Sequence, residues 1–174
     1  MSIAPFFEQF PNASKREIER IAGDYLIKTV VSSHVVKDPS EIEILRAGKP
    51  RLKNSEIQFN LSHSEDWILL GVGEMPLGVD IQKISSIREK VMEAYYTESE
   101  KELVKEYGVT AFYEIWTKKE SYVKYTGEGI KGLKNAYIIP PEVDFFTDIV
   151  NGYQIAVCSE IGYLPKKIEI VKHI

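Results

Sequence analysis

Apolar residues recur along this chain at two different spacings, and these spacings predict a mixture of helices and strands. Between Ser14 and Ser33 they fall at helical spacing, and Ser14 with Glu17 forms the capping-box signal of a helix start. The second half of the chain has three more segments of helical periodicity. These predicted helices are Ile87–Tyr95, Thr97–Tyr107 and Thr110–Tyr125, the last ending at Gly127.

Short apolar runs bounded by turn residues predict the strands. They are Glu41–Leu45, Gln58–Leu61, Trp67–Val72, Leu77–Ile81, Asp144–Val150, Tyr153–Ser159 and Lys167–Val171. Asn151-Gly152 separates two of these runs and is the strongest short signal for a hairpin. Each half of the chain therefore combines helices with an antiparallel sheet. That order is typical of an α+β fold and not of βαβ alternation.

The composition is that of a globular protein and excludes several classes. With 174 residues, the chain is long enough for one domain or for two small halves that share a core. A net charge of −4 argues against general nucleic-acid binding. No run approaches the roughly 20 apolar residues of a membrane span, and Met1–Pro5 has no signal-peptide pattern. We therefore expect a cytoplasmic protein.

The one cysteine excludes an internal disulfide. Cys158 lies in an apolar, strand-like run, and we expect it to be a small buried residue, not a nucleophile. Zinc chemistry is not expected either, because one cysteine and three histidines without paired spacing do not form a zinc site. The chain also contains neither a G-x-S-x-G elbow nor a Walker loop.

The longest predicted helix carries two charged residues on one face. Glu120 lies four residues after Trp116 and four before Lys124. Two interpretations stay open. The pair is a surface ion pair, or it is an anion site in which the carboxylate holds a metal and the ammonium holds a phosphate.

A second acid and a polar cluster are also open to two interpretations. Asp80 stands inside an apolar run, where aspartate is uncommon, so it either points to solvent or caps a turn, or it is a metal ligand. The cluster Asn60-Leu61-Ser62-His63-Ser64 supplies either a helix cap and satisfied polar residues, or part of a site.

Together and in this order, three segments resemble the 4'-phosphopantetheinyl transferases of the surfactin-synthetase type. The segments are residues 59–64, residues 78–81, and residues 116–124 with the glycine-rich residues 127–130. Gly48-Lys49-Pro50 resembles the family's lysine turn, and Tyr95-Tyr96-Thr97 followed by Glu100 resembles its aromatic-pair motif. The resemblance covers roughly residues 21–156.

The resemblance implies a fold and an activity. The fold would be two similar α+β halves, residues 1–79 and 80–174, related by a pseudo-two-fold with coenzyme A in the cleft between them. The enzyme would transfer the phosphopantetheine arm of coenzyme A to a serine of an acyl or peptidyl carrier protein. It would depend on magnesium and release 3',5'-adenosine bisphosphate. Because one chain contains both halves, a monomer is expected.

The resemblance also implies roles for individual residues. Asp80 and Glu120 would bind Mg2+, and Glu120 would be the candidate base for the carrier serine. The residues that would hold the phosphates of coenzyme A are Lys49, Ser62, His63 and Lys124. Asp80, Glu120 and Lys124 would form the catalytic set, with Glu100 in a supporting role beside the metal.

The chain departs from the family pattern at two places. Gln82 stands where bacterial members often carry a third acid, so either its carbonyl or a water would complete the metal shell, with weaker metal affinity. The segment before the first helix is short, and Arg16, with Lys15 and Arg20, would replace the family's basic segment at the 3'-phosphate; solvated helix charges explain these residues equally well.

Acidic carriers favour a basic docking surface. The candidate residues for that surface are Lys118, Lys119, Lys131 and Lys134. Two other functions compete with the transferase: a non-catalytic protein that binds coenzyme A or a carrier on the same fold, and an unrelated magnesium-dependent phosphoryl-transfer enzyme.

Overall fold

A computed structural model describes residues 1–35, 42–45, 49–129, 132–133, 139–164 and 169. Over these residues the chain forms five α-helices and seven β-strands. The helices are α1 (Ala4–Gln9), α2 (Lys15–Val35), α3 (Glu89–Tyr95), α4 (Glu98–Tyr107) and α5 (Val109–Thr126). The strands are β1 (Ile44–Leu45), β2 (Arg51–Leu52), β3 (Gln58–Ser64), β4 (Trp67–Gly73), β5 (Leu77–Lys83), β6 (Val143–Val150) and β7 (Tyr153–Glu160).

All the strand pairs are antiparallel, which confirms the predicted α+β class. β3 and β4 form one hairpin, β1 pairs with β2, and β5, β7 and β6 form a three-stranded sheet in that order. β5 therefore pairs with a strand about 70 residues later in the chain and not with its neighbour β4. Its register places Asp80, in the middle of β5, opposite Ala156 of the central strand β7.

The first core lies between α2 and the β3–β4 hairpin. Ile18, Ala22 and Leu26 on one stripe of α2 pack with Ile68 of β4. The N-terminus runs beside β4, where the backbone N–H of Ile3 donates to the carbonyl of Asp66 at 2.8 Å. Burying these apolar groups is what holds α2 on the sheet, at roughly 1.5–3 kcal/mol for each large side chain.

The second core is aromatic and joins α4 to α5. Tyr96 stacks on Phe112 with ring centroids 5.3 Å apart, and its hydroxyl donates to the carbonyl of Phe112 at 2.6 Å. Tyr113, Trp116 and Val123 complete the buried stripe of α5. This core fixes the long helix, whose opposite face lies against β5.

The two larger sheets meet through side chains. Asn60 and Ser64 lie on the same face of β3, and both accept hydrogen bonds from backbone N–H groups of β5. The Val79 N–H donates to Asn60 Oδ1 at 2.8 Å, and the Lys83 N–H donates to Ser64 Oγ at 2.9 Å. These side chains satisfy donors on the edge of β5 that a further strand would otherwise bond.

The predicted helices are confirmed, with ends within two residues of the expected ones. Ser14 and Glu17 form the expected capping interactions, since Glu17 Oε2 accepts from the Ser14 N–H at 2.9 Å. α5 ends at Gly127, whose φ of 76° is the left-handed conformation that glycine adopts at low cost. The hairpin at Asn151 and Gly152 is also confirmed, with φ of 53° and 77°.

Other predictions are confirmed only in part or stay predictions. The predicted strand over residues 41–45 is confirmed only at Ile44–Leu45, and residues 41 and 46–48 lie outside the described part. Residues 167–171 also lie outside it, apart from residue 169. The sequence did not predict α1 or β2. The proposed division between residues 79 and 80 falls inside β5, and the division into two halves stays a prediction.

Within the described residues, no helix is both long and apolar enough to cross a membrane. Cys158 is fully buried on β7, as expected. Burial, and then the nearby carboxylate of Asp144, raise the pKa of its thiol to about 12, so it is protonated at neutral pH.

Candidate functional site

Gly78 allows β5 to approach the backbone of α5 closely. A side chain at this position would overlap the carbonyl oxygen of Ser121 and the amide nitrogen of Tyr125. Because alternate residues of a strand share a face, Asp80 lies on the same face of β5 as Gly78. The glycine thus brings the carboxylate of Asp80 against the turn of α5 that carries Glu120 and Lys124.

Asp80 is buried to 1% exposure, and both of its carboxylate oxygens accept hydrogen bonds. Oδ1 accepts from Ser62 Oγ at 2.8 Å and from Lys124 Nζ at 2.7 Å. Lys124 Nζ also donates to Ser62 Oγ at 2.7 Å. Oδ2 accepts from the amide nitrogen of Gln82 at 3.2 Å. A buried carboxylate is thus balanced by an ammonium, and one serine bridges them.

Glu120 lies next to this cluster on α5 and is partly buried. Its pKa is raised above the ordinary value, first by burial and then by the negative charge of Asp80. The positive charges of Lys124 and Arg88 act in the opposite direction. Two carboxylates in one partly buried place repel each other when both are ionised, and a cation between them would relieve that repulsion.

These residues fit a magnesium ion. Hard oxygen donors are what Mg2+ binds, and it commonly takes one or two carboxylates while substrate phosphates and waters fill its other positions. The described residues contain no group of three or more histidine, cysteine or acidic side chains that could hold a metal by themselves. The pair Asp80 and Glu120 therefore suits an ion that binds together with a phosphorylated substrate.

The other predicted phosphate-binding residues are contributed by other parts of the fold. Lys49 is half-buried, and its ammonium donates to the carbonyl of Leu77 at the start of β5, at 3.2 Å. Burial lowers the pKa of Lys49. His63 is half-exposed on β3, and its Nδ1 lies 3.4 Å from Glu19 Oε1 on α2. Arg16 is exposed near the start of α2.

One prediction made from the sequence needs correction. Lys119 is not on an exposed docking surface, because it is buried in the core and its ammonium lies 2.9 Å from Glu100 Oε1. Glu100 also caps α4, where its carboxylate accepts from the Thr97 N–H at 2.7 Å. Lys118 is more exposed and pairs with Glu114. Lys131 and Lys134 lie outside the described residues.

The sequence placed Asn60 in a polar cluster without giving it a role of its own, and it did not single out Arg88. Asn60 had a detectable signal, because polar side chains alternate at Asn60, Ser62 and Ser64 on one face of a strand and all three contact β5. Arg88 had none, since it stands in an exposed loop between β5 and α3. The structure places its guanidinium over the aromatic rings of α5, beside Glu120.

The fold and this cluster define an enzyme-like site in which buried carboxylates and an ammonium meet at a junction of two sheets. A sequence model of the 4'-phosphopantetheinyl transferase superfamily matches residues 76–163, which include Asp80, Glu120 and Lys124. The chain belongs to this superfamily, and the prediction of its enzyme class is confirmed.

Individual relatives agree with this assignment. The chain is similar to 4'-phosphopantetheinyl transferase gsp of Aneurinibacillus migulanus, with 29% identity over 161 residues, which cover 80% of this chain and 67% of the relative. It is similar to 4'-phosphopantetheinyl transferase Sfp of Bacillus subtilis, with 26% identity over 88% of this chain and 79% of the relative. A phosphopantetheinyl transferase of Thraustochytrium sp. is 33% identical over 69% of this chain and 51% of its own length.

Proposed function

We propose that the protein transfers the 4'-phosphopantetheine arm of coenzyme A to a serine hydroxyl of an apo acyl or peptidyl carrier protein, releasing 3',5'-adenosine bisphosphate. Membership of the superfamily supports the transfer of phosphopantetheine to carrier proteins. The detailed reaction that we propose is supported by the buried contact of Asp80, Ser62 and Lys124, with Glu120 beside it.

The residues of the candidate site would hold the diphosphate of coenzyme A by charge and hydrogen bonds. Lys124 offers an ammonium to a phosphate oxygen, and Ser62 offers a hydroxyl, in a place where burial strengthens both interactions. Lys49 and His63 would contact the remaining phosphates, and Arg16 is the candidate for the 3'-phosphate. Asp80 and Glu120 would hold the magnesium ion, and Gln82 would also hold it if the amide turned its oxygen inward. The ion would neutralise the charge that develops on the leaving phosphate.

The reaction needs a base for the carrier serine. As the serine oxygen bonds to the phosphorus that bears pantetheine, the bond from this phosphorus to the bridging oxygen breaks, and 3',5'-adenosine bisphosphate leaves with the electron pair. The serine proton goes to the Glu120 carboxylate. Burial and the charge of Asp80 raise the pKa of Glu120, which makes its ionised form a better proton acceptor than an exposed glutamate.

The position of the cluster supports a site between two halves of the chain. Ser62 comes from β3, whereas Asp80 and Lys124 come from β5 and α5. We infer a pseudo-two-fold arrangement of residues 1–79 and 80–174 with coenzyme A in the cleft between them, in a monomeric, cytoplasmic enzyme.

The direct test uses mass spectrometry of a carrier protein. An apo carrier incubated with the enzyme, coenzyme A and magnesium should gain the mass of phosphopantetheine. Asp80→Ala and Glu120→Gln should each slow the gain by about a hundredfold or more. Glu89→Gln, at an exposed position on α3, is the matched control and should retain wild-type rates.

The same assay distinguishes the competing functions. Coenzyme A binding without any mass gain would favour a non-catalytic binding protein. Hydrolysis of coenzyme A or a nucleotide with an unmodified carrier would favour an unrelated phosphoryl-transfer enzyme. Full activity of both the Asp80→Ala and Glu120→Gln proteins would remove the proposed site.

A further inference from the structure

Arg88 is an exposed arginine whose guanidinium is nevertheless fixed in place. It belongs to the loop that joins β5 to α3, and its Cζ lies 5.4 Å from the ring centre of Trp116, 5.7 Å from Tyr113 and 5.9 Å from Phe112. The cation thus lies near three rings of α5. Such contacts hold an arginine in position while its N–H groups stay available for another ligand.

Within the described part of the chain, no carboxylate forms a salt bridge with Arg88. Glu120 is near enough for the arginine to lower its pKa, yet the two groups do not pair. Among the residues that the structure describes, Arg88 is therefore a positive charge without a carboxylate partner, at the edge of the proposed site.

The arrangement along α5 places a cation on each side of Glu120. Trp116, Glu120 and Lys124 are four residues apart and share one side of the helix. With a rise of 1.5 Å per residue, Trp116 and Lys124 are about 12 Å apart along the axis. Arg88 rests on Trp116 one turn before Glu120, and Lys124 follows one turn after it.

The balance of positive and negative charges in the proposed site indicates a role for Arg88. Asp80, Glu120 and the two phosphates of a diphosphate ester together carry four negative charges when ionised. A divalent cation and Lys124 supply three positive charges, and Lys49, whose ammonium donates to the carbonyl of Leu77, is not among the cations that act on Glu120. Arg88 is the other cation whose charge acts on Glu120, and it would supply the fourth. In a partly buried site such compensation is worth more than in water.

We propose that Arg88 is a further substrate-binding residue, whose guanidinium contacts the diphosphate of coenzyme A on the side of Glu120 opposite Lys124. This inference rests on the proposed function. A diphosphate suits Arg88 better than an acidic side chain of the carrier, because it belongs to the proposed site beside Glu120 and its oxygens can accept two hydrogen bonds from the planar guanidinium.

The test is calorimetric titration of coenzyme A, with magnesium present, into the wild type and three variants. Arg88→Met keeps contact with the rings but removes the charge, and it should weaken coenzyme A binding roughly ten- to a hundredfold. Arg88→Lys should recover part of that loss, because it keeps the charge and loses the planar fork. Lys90→Met, an exposed lysine two residues later, should bind as the wild type does.

Unchanged coenzyme A affinity in a folded Arg88→Met protein would overturn the inference. A raised KM for the carrier with unchanged coenzyme A affinity would also overturn it, and would assign Arg88 to carrier docking. Failure of the proposed function has a different signature: a wild-type protein that neither binds coenzyme A nor modifies a carrier. If the wild type modifies the carrier and the Arg88→Met variant binds coenzyme A with unchanged affinity, only the proposed role of Arg88 is wrong.

Discussion

Gly78, which has no side chain, determines where the charged side chain of Asp80 lies. Its missing Cβ leaves room for the backbone of α5 at Ser121 and Tyr125, and Asp80 follows two residues later on the same face. The distance between β5 and α5 therefore depends on this glycine. Without that close approach, Lys124 could not donate to the carboxylate of Asp80 at 2.7 Å.

Gly78→Ala should destabilise the protein, because the added methyl group meets backbone atoms that cannot rotate away. We expect a loss of about 3 kcal/mol in the free energy of unfolding, measured by urea denaturation, and a fall in transfer activity of the remaining folded protein. Gly73→Ala is the matched control in a neighbouring strand, where an added Cβ would come no closer than 3.7 Å to any atom. Equal stability of the two variants would contradict this explanation.

Cys158 gives a prediction about reactivity and pH. Because burial and Asp144 raise the pKa of its thiol to about 12, the reactive thiolate is scarce in the folded protein at pH 7–9. A thiol-specific reagent such as dithionitrobenzoate should therefore leave the native protein unmodified across this range. The same reagent should titrate one thiol per chain after unfolding in guanidinium. Fast modification of the native protein at pH 8 would show that the thiol is accessible.

At the residue scale, the sequence could predict the acids and the lysine of the site but not all of their neighbours. The ordered motifs around Asp80, Glu120 and Lys124 predicted that distant residues converge, and the structure brings them together. Arg88 could not be predicted, because its position depends on how a loop packs over three rings of another element. Lengths and periodicities carry no information about such contacts.

At the element scale, α5 serves two cores with its two sides. Phe112, Trp116, Lys119 and Val123 follow one another at spacings of three and four residues on its buried stripe. Lys119 is thus a charged residue in a hydrophobic position, and its ammonium pairs with Glu100 at the start of α4 and lies 5.9 Å from the ring centre of Tyr96. The helical spacing of position 119 was visible in the sequence, but the charge suggested an exposed residue, which was wrong.

The Lys119–Glu100 pair should be asymmetric in its response to substitution. Glu100→Gln removes the carboxylate beside a buried ammonium and should cost about 3 kcal/mol of unfolding free energy. Lys119→Met removes the buried charge itself and should cost less, since Glu100 is partly exposed and keeps its bond to the Thr97 N–H. Adding Lys119→Met to Glu100→Gln should then restore part of the lost stability in urea denaturation.

The surface pair of Lys118 and Glu114 on the same helix is the control for this cycle. Glu114→Gln should change the unfolding free energy by no more than about 1 kcal/mol. A loss from Glu114→Gln as large as that from Glu100→Gln would mean that burial does not set the strength of the Lys119–Glu100 pair.

Helices were easier to predict from this sequence than strand pairing. Ser14, Thr97 and Gly127 are local start and stop signals, and each is satisfied within a few residues by the contacts that the structure shows. The pairing of β5 with β7 joins residues 77–83 to residues 153–159, and no local pattern specifies that choice. The Asn151-Gly152 hairpin was the exception, because its turn is itself local.

At the scale of the whole molecule, the site lies where the α2–β3–β4 part meets the β5–α5 part. Lys124 links the two, since its ammonium donates both to Ser62 on β3 and to Asp80 on β5. The same ammonium is bonded to the carboxylate of Asp80, which would also hold the proposed magnesium ion. In the proposed mechanism, the metal and the lysine would therefore compete for one carboxylate until a phosphate draws the ammonium away.

This competition predicts an unusual response to Lys124→Met. The variant should bind Mg2+ more tightly than the wild type in the absence of coenzyme A, by about tenfold, because one positive charge beside Asp80 has gone. Transfer activity should fall at the same time, since the phosphate loses its ammonium. Calorimetry with magnesium alone measures the affinity, and Lys90→Met serves as the control. Weaker magnesium binding by the Lys124→Met protein would show that the lysine supports the metal site instead of competing with it.

The side-chain junction between β3 and β5 also has a consequence for protein engineering. The chain crosses from one sheet to the other only once in this region, through the short turn at residues 74–76, and Asn60, Ser62 and Ser64 supply the bonds that hold β5 beside β3. Opening the chain in that turn leaves both β3–β4 and β5–β7–β6 intact, while Ser62 and Asp80 end up on separate fragments. Transfer activity would then appear only when the two polypeptides reassemble. This turn is therefore a suitable place to divide the protein into a split reporter.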